Sequence, residues 1–217
     1  MKYSFSPKKL NNLKGHISER LIQDYINKNI IPKLKKDGWD IIIYTTNTWF
    51  SVPESENFNP SFINERMFFI SNRLFPTKKF LNKFKKLTRL LENIPDGFLI
   101  KMKKTGNNIS MKKAINELNL NSISFWNGLG GNFSSKELDE NEQLPIIDGE
   151  IEIIEVKSDK SFLASNQKKS YSNTLKAGYH LRYFHVDFIS FKNNCFEIKE
   201  KIIREPVELN KLRTPKG

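Results

Sequence analysis

The stretch Ile151-Glu152-Ile153-Ile154-Glu155-Val156-Lys157-Ser158 decides the reading of this chain. Its Ile and Val content predicts a strand. Side chains alternate between the faces of a strand, so Glu155 and Lys157 share one face with Ile151 and Ile153. A carboxylate and an ammonium at the edge of a largely buried face cost free energy unless they pair or hold an ion. Taken alone, Glu-x-Lys reads most simply as a salt bridge at a strand end.

The surroundings of that strand are regular. Asp148-Gly149 precedes it. After it, Ser165 reads as the N-cap of a helix over Asn166 to Ala177, stopped by Gly178, with Gln167, Tyr171 and Leu175 on one face. A strand over Tyr179 to Ile189 follows. Asn193-Asn194 turns it into a hairpin arm over Cys195 to Ile203. Upstream, Met1 to Leu13 reads as an arm or a first turn, and Ile17, Leu21, Ile22, Tyr25, Ile26 and Ile30 place one apolar stripe on a helix over Lys14 to Leu34. Trp39 to Thr46 reads as a strand buried on both faces.

Helices are expected over Ser61 to Leu74, over Lys78 to Asn93 with Thr77 as its cap, and over Ser110 to Leu118. A strand over Phe98 to Lys104 and a turn over Thr105 to Asn108 separate the last two. The run Gly128-Leu129-Gly130-Gly131 lacks the flanking strand and helix of a phosphate-binding loop and reads as loop. Ser134 to Gln143 reads as acidic and exposed. Trp49 and Trp126 read as core or loop anchors. The expected architecture is α/β: a small mixed β-sheet flanked by helices, with helical insertions. The 217 residues suit a single domain carrying insertions at about 47–92 and about 105–145.

Lys and Arg total 36 against 24 Asp and Glu, a formal net charge of +12. That balance favours a polyanionic partner, nucleic acid first. The helix over Lys78 to Asn93 carries Lys78, Lys79, Lys83, Lys85, Lys86 and Arg89 opposite its apolar stripe, almost without acids to form ion pairs along it. Of these, Lys78, Lys79, Lys83 and Lys86 are the candidate phosphate contacts, with Lys168, Lys169 and Tyr171 on the later helix as further candidates. A single cysteine, Cys195, excludes a disulfide framework and a cysteine-rich zinc site. No run reaches the length of a membrane span and no apolar leader is visible, so a soluble intracellular protein is expected, cytoplasmic or nucleoid-associated.

Glu155 has two candidate partner acids, Asp96 and Asp148. If residues 149–157 form one strand, Asp148 and Glu155 stand about 23 Å apart and cannot share an ion. Asp96 opens a different strand. If that strand pairs antiparallel with Gly149 to Lys157, with Lys104 near Gly149, Asp96 falls opposite Lys157 and beside Glu155. Two carboxylates at one sheet end make a hard, oxygen-rich site suited to Mg²⁺ or Mn²⁺. A lysine between such a site and its water can orient a nucleophile and stabilise developing charge.

At these residues the chain resembles the PD-(D/E)XK nuclease superfamily: Pro95-Asp96 matches its first element and Glu155-Val156-Lys157 its second. Lys14-Gly15-His16-Ile17-Ser18-Glu19-Arg20-Leu21 resembles the first helix of archaeal Holliday-junction resolvases, whose glutamate falls on Glu19. Glu155 to Val186 resembles the end of a VRR-NUC-type domain, where a helix glutamine, here Gln167, follows the acid-x-lysine strand. The resemblance implies a restriction-endonuclease-like core and metal-dependent cleavage of phosphodiester bonds, usually in DNA, with selectivity for branched or structured DNA in view. It implies Glu19, Asp96, Glu155, Lys157 and Gln167 as catalytic, with Asp96, Glu155 and Glu19 on the Mg²⁺ or Mn²⁺. A homodimer is compatible with it. Two alternatives stand beside this reading: a nucleic-acid-binding protein with an inactive nuclease fold, and a nuclease directed at RNA.

Overall fold

The computed structural model describes residues 7–46, 65–92, 95–120, 139–159, 161–190 and 195–212. The expectations for Trp49, Trp126, the Gly128 to Gly131 run and the Asn193-Asn194 turn lie outside these residues. The fold is mixed α/β, a six-stranded mixed sheet flanked by helices. The chain divides into two compact units, residues 1–48, 89–101 and 151–217 in the first, 49–88 and 102–150 in the second. Most of the residues expected as insertions belong to the second unit.

The elements in chain order are α1 (Pro7–Tyr25), a π-helical turn (Ile26–Ile30), α2 (Ile31–Lys36), β1 (Ile41–Thr46), α3 (Glu65–Ser71), β2 (Phe75–Pro76), α4 (Lys78–Leu90), β3 (Gly97–Ser110), α5 (Met111–Glu117), β4 (Gln143–Ser158), α6 (Ser165–Lys176), β5 (His180–Ser190), β6 (Cys195–Ile203) and α7 (Pro206–Asn210). The sheet order is β1-β3-β4-β5-β6, with β2 beside β4. β4 and β5 are parallel, so a crossover must join them, and α6 provides it. β5 and β6 pair antiparallel, as expected of a hairpin.

In the first unit, α1 and the π-helical turn lay Ile22, Ile26 and Ile30 against Leu99, Ile154, Val156, Phe184 and Val186. Of the expected apolar stripe, Ile22, Ile26 and Ile30 are buried, Leu21 and Tyr25 pack against them half-buried, and Ile17 is half-buried outside this cluster. The helix is longer at its start than the sequence suggested, beginning at Pro7, a residue preorganised for a first helical turn. It changes to π geometry just before Pro32, which has no N–H to donate to the preceding turn. β1 lies at the edge of the sheet and is only half-buried from Ile41 to Tyr44, not buried on both faces as its composition implied. β3 approaches it closely at Gly97, where a Cβ would stand 2.4 Å from the Thr45 carbonyl oxygen. Only glycine fits that position without displacing backbone.

In the second unit, Ile70, Ile109, Met111, Ala114, Leu118, Leu120 and Leu144 form one cluster. Phe68 and Phe69 of α3 meet Phe80 and Phe84 of α4 with centroids 5.6 to 5.7 Å apart. Thr77 caps α4 as expected: its hydroxyl oxygen accepts from the Phe80 N–H at 3.2 Å.

The long strands are longer than expected. β3 continues through Thr105 to Asn108, read from sequence as a turn, and β4 starts at Gln143, read as the end of an exposed segment. Lys103 to Asn108 are all exposed, so no alternation marks them as strand. Pairing supplies what side-chain burial does not, and the Thr105 hydroxyl also donates to the Ile146 carbonyl at 3.1 Å.

Candidate active site

The sheet brings Asp96, Glu155, Lys157, Gln167 and Tyr171 together in the first unit. Asp96 stands at the start of β3, and its Oδ2 accepts from the Val156 N–H of β4 at 2.6 Å. Lys101 meets Glu152 further along the same two strands. Residue numbers rise on β3 as they fall on β4, the antiparallel relation expected of this pair. Asp148 is used elsewhere: its Oδ1 accepts from the Thr77 hydroxyl at 3.3 Å and from the Gly149 N–H at 2.9 Å.

Glu155 is 1% exposed. Its Oε1 takes an ion pair from the Lys157 ammonium and a hydrogen bond from Gln167 Nε2 at 3.1 Å. Its Oε2 accepts from the Tyr171 hydroxyl. The strand-end salt bridge is thus present, but it is one part of a larger network. The first turn of α6 holds Gln167 in place, because its Oε1 accepts from the Ala164 N–H at 3.1 Å while its amino group reaches Glu155. The N-cap is Ala164 rather than Ser165, one residue earlier than expected. Gly178 ends α6 with φ +88°, where a side chain would be strained.

Burial and then the charge of Glu155 push the Asp96 carboxyl up from the usual 3.8 to about 7. The Val156 N–H and Lys157 oppose this, and Glu19 adds to it. Burial, followed by the charge of Glu155, holds the Tyr171 phenol well above its usual range. Tyr44 of β1 is raised for the same kind of reason, by burial, then Asp96, then Glu19. Tyr44 is a neighbour the sequence did not single out; a phenol in an otherwise aliphatic strand was the available signal.

Asp96 makes one hydrogen bond among the described residues, leaving Oδ1 open. Glu155 receives three donors, where a carboxylate has about four acceptor sites. This donor set fits a hard divalent cation that keeps several waters, held by two carboxylates. Among the described residues no three His, Cys, Asp or Glu side chains are grouped to hold one ion. Glu19 is part-exposed, its Oε2 stands 4.0 Å from His16 Nδ1, and its charge reaches Asp96.

The expected nucleic-acid contacts fall in different settings. Lys78, Lys79, Lys86 and Lys169 are exposed, and Lys83 and Lys168 are half-buried. Lys79 stands 4.0 Å from Asp148. Tyr171 is fully buried beneath Glu155, so it supports the site and offers no surface to a substrate.

A pH effect follows from Asp96. Its folded-state affinity for a proton exceeds that of an unfolded carboxylate, so its stabilising contribution is complete below about pH 4 and is lost as pH rises to about 7. In metal-free buffer, urea denaturation across this window should show wild type losing stability relative to Asp96→Asn as pH increases. A constant difference between the two would contradict the assigned environment.

No helix among the described residues is long and apolar enough to cross a membrane. No family model matches this chain, and comparison with curated proteins and with solved structures returns no match.

Proposed function

We propose that this chain is a divalent-metal-dependent endodeoxyribonuclease with a restriction-endonuclease-like core. The observation that carries the reading is the convergence of Asp96 and Glu155 from adjacent strands in a buried setting where the charge of Glu155 opposes ionisation of Asp96. A cation between them relieves that repulsion, and the attached lysine, glutamine and tyrosine suit a reaction centre better than a minimal salt bridge would. The net charge of +12 and the exposed lysines of α4 agree with a polyanionic substrate.

A bound Mg²⁺ or Mn²⁺ supplies Lewis acidity toward a phosphoryl oxygen and lowers the pKa of water. Asp96 and Glu155 would hold it. Lys157 lies at the rim of the site with its side chain 16% exposed, so its ammonium can reach from Glu155 toward an attacking water or a phosphoryl oxygen. Gln167 and Tyr171 fix the rotamer of Glu155. Tyr44 and the Val156 N–H border Asp96, and Glu19 lies where it can accept a hydrogen bond from water.

Digestion of supercoiled, branched and single-stranded DNA, with matched RNA, in Mg²⁺ or Mn²⁺ tests this reading. The expected result is metal-dependent cutting of DNA, with Lys157→Ala lowering kcat by about 10²–10³-fold while leaving DNA affinity intact. Equal turnover by that variant rejects the assignment, and preferential cutting of RNA replaces the substrate. The closed Glu155–Lys157 pair favours a second reading, a nucleic-acid-binding protein whose nuclease core is unused. Salt-sensitive binding with no cutting in either metal would establish it.

A further inference from the structure

The sheet face that carries Glu155 and Lys157 continues into a cleft of about 340 Å³ that the proposed reaction leaves unused. The pairing register fixes its place. Glu155 pairs with Tyr183, which pairs with Lys201; Lys157 pairs with His185, which pairs with Lys199. Two rows of side chains therefore run from the candidate site across β5 to β6, and Phe162 and Leu212 line the same cleft.

Much of the lining is held rigidly. The rings of Tyr183 and His185 stack at 26° with centroids 6.4 Å apart. His185 Nε2 lies 3.0 Å from Asp187 Oδ1, and the Lys199 ammonium donates to Asp187 Oδ2 at 2.8 Å. Lys201 differs. Among the described residues it makes no hydrogen bond or ion pair, although its charge reaches Glu208.

We infer that this cleft is a subsite for one unstacked nucleotide of a DNA strand, with the base against Phe162 and the Tyr183–His185 rings and a phosphate on Lys201. The volume is at the small end of ligand pockets, enough for one nucleotide and too little for a base pair. Ring faces accept any base by stacking. Of the three carboxylates that line the cleft, Asp159 is paired with Lys14, Glu200 with Arg182, and Asp187 with His185 and Lys199, which leaves Lys201 as the cation for a phosphate. The inference rests on the nuclease reading for the identity of the strand, since the rows lead directly from Glu155 and Lys157.

Fluorescence anisotropy of the full chain in chelator tests the subsite without any cutting. Labelled single-stranded DNA is compared with a strand of equal length made of abasic deoxyribose phosphates. Wild type is expected to prefer the base-bearing strand about tenfold. Phe162→Ala and Phe162→Leu should each remove most of that ratio, the second while keeping a bulky apolar side chain. Lys201→Ala should weaken both strands by a similar factor and keep the ratio. Equal affinity of wild type for the two strands overturns the subsite, as does an unchanged ratio in both Phe162 variants with wild-type melting curves. Cleavage is scored separately in Mg²⁺. A chain that prefers bases through Phe162 but never cuts refutes the nuclease and keeps the cleft; one that cuts but binds both strands alike refutes the cleft alone.

Discussion

Glu155→Gln is expected to reduce metal-dependent DNA cleavage by at least about 10²–10³-fold. The substitution preserves shape, so Tyr171 and Gln167 retain a neighbour of similar size. What changes is charge: a neutral amide no longer balances the Lys157 ammonium and no longer offers two anionic oxygens to a cation. It also relieves Asp96, because the charge of Glu155 is the second cause, after burial, that raises that carboxyl to about 7. The variant should therefore remain folded, bind DNA with affinity close to wild type, and fail to turn over. Initial nicking rates at saturating Mg²⁺, read beside a urea titration, check this. Cleavage within about threefold of wild type would remove Glu155 from the reaction.

Glu152→Ala should act through stability. Three residues before Glu155, this glutamate faces the other side of β4 and is 4% exposed. Its Oε1 accepts from the Lys101 ammonium at 2.7 Å and its Oε2 from Arg182 Nε at 2.8 Å. Burial alone would raise its pKa, but Arg182 and Lys101 hold it below the usual range. Arg182 extends the row to Glu200, and Lys101 also stands 5.0 Å from the Trp39 ring centroid. Removing the carboxylate takes a shared buried partner from two cations, at a cost of about 3–5 kcal/mol. Denaturant unfolding of Glu152→Ala should show a loss of that size, and the remaining folded fraction should keep the activity of wild type. A loss under about 1 kcal/mol would mean that the row opens readily to water.

The two glutamates illustrate what the sequence made legible. Alternation along residues 151–158 placed Glu155 and Lys157 on one face, and an antiparallel pairing index put Asp96 beside them. Both readings needed only strand geometry. Gln167, Tyr171 and Leu175 were legible as one helix face, but not the contact of the first two with Glu155, which depends on how α6 crosses from β4 to β5. Glu152 drew no attention, because its partners Lys101 and Arg182 come from strands 51 and 30 residues away. The cleft residues Tyr183, His185 and Asp187 were hidden in the same way: their alternation was visible, and only the β4–β5 register makes it meaningful. Exposed Lys103 to Asn108 carried no strand pattern, and two-residue β2 was too short to show one. The short α7 did leave a signal in Glu205-Pro206 followed by Glu208, whose carboxylate accepts from the Arg204 and Glu205 N–H groups.

The central claim is that Asp96 and Glu155 hold a divalent cation. Diffraction from crystals grown with Mn²⁺, measured for its anomalous signal, tests it most directly. The account predicts a peak within about 2.0–2.3 Å of oxygens from both carboxylates. Full Mn²⁺ occupancy elsewhere, with the Glu155–Lys157 pair closed and no peak beside Asp96, would contradict it.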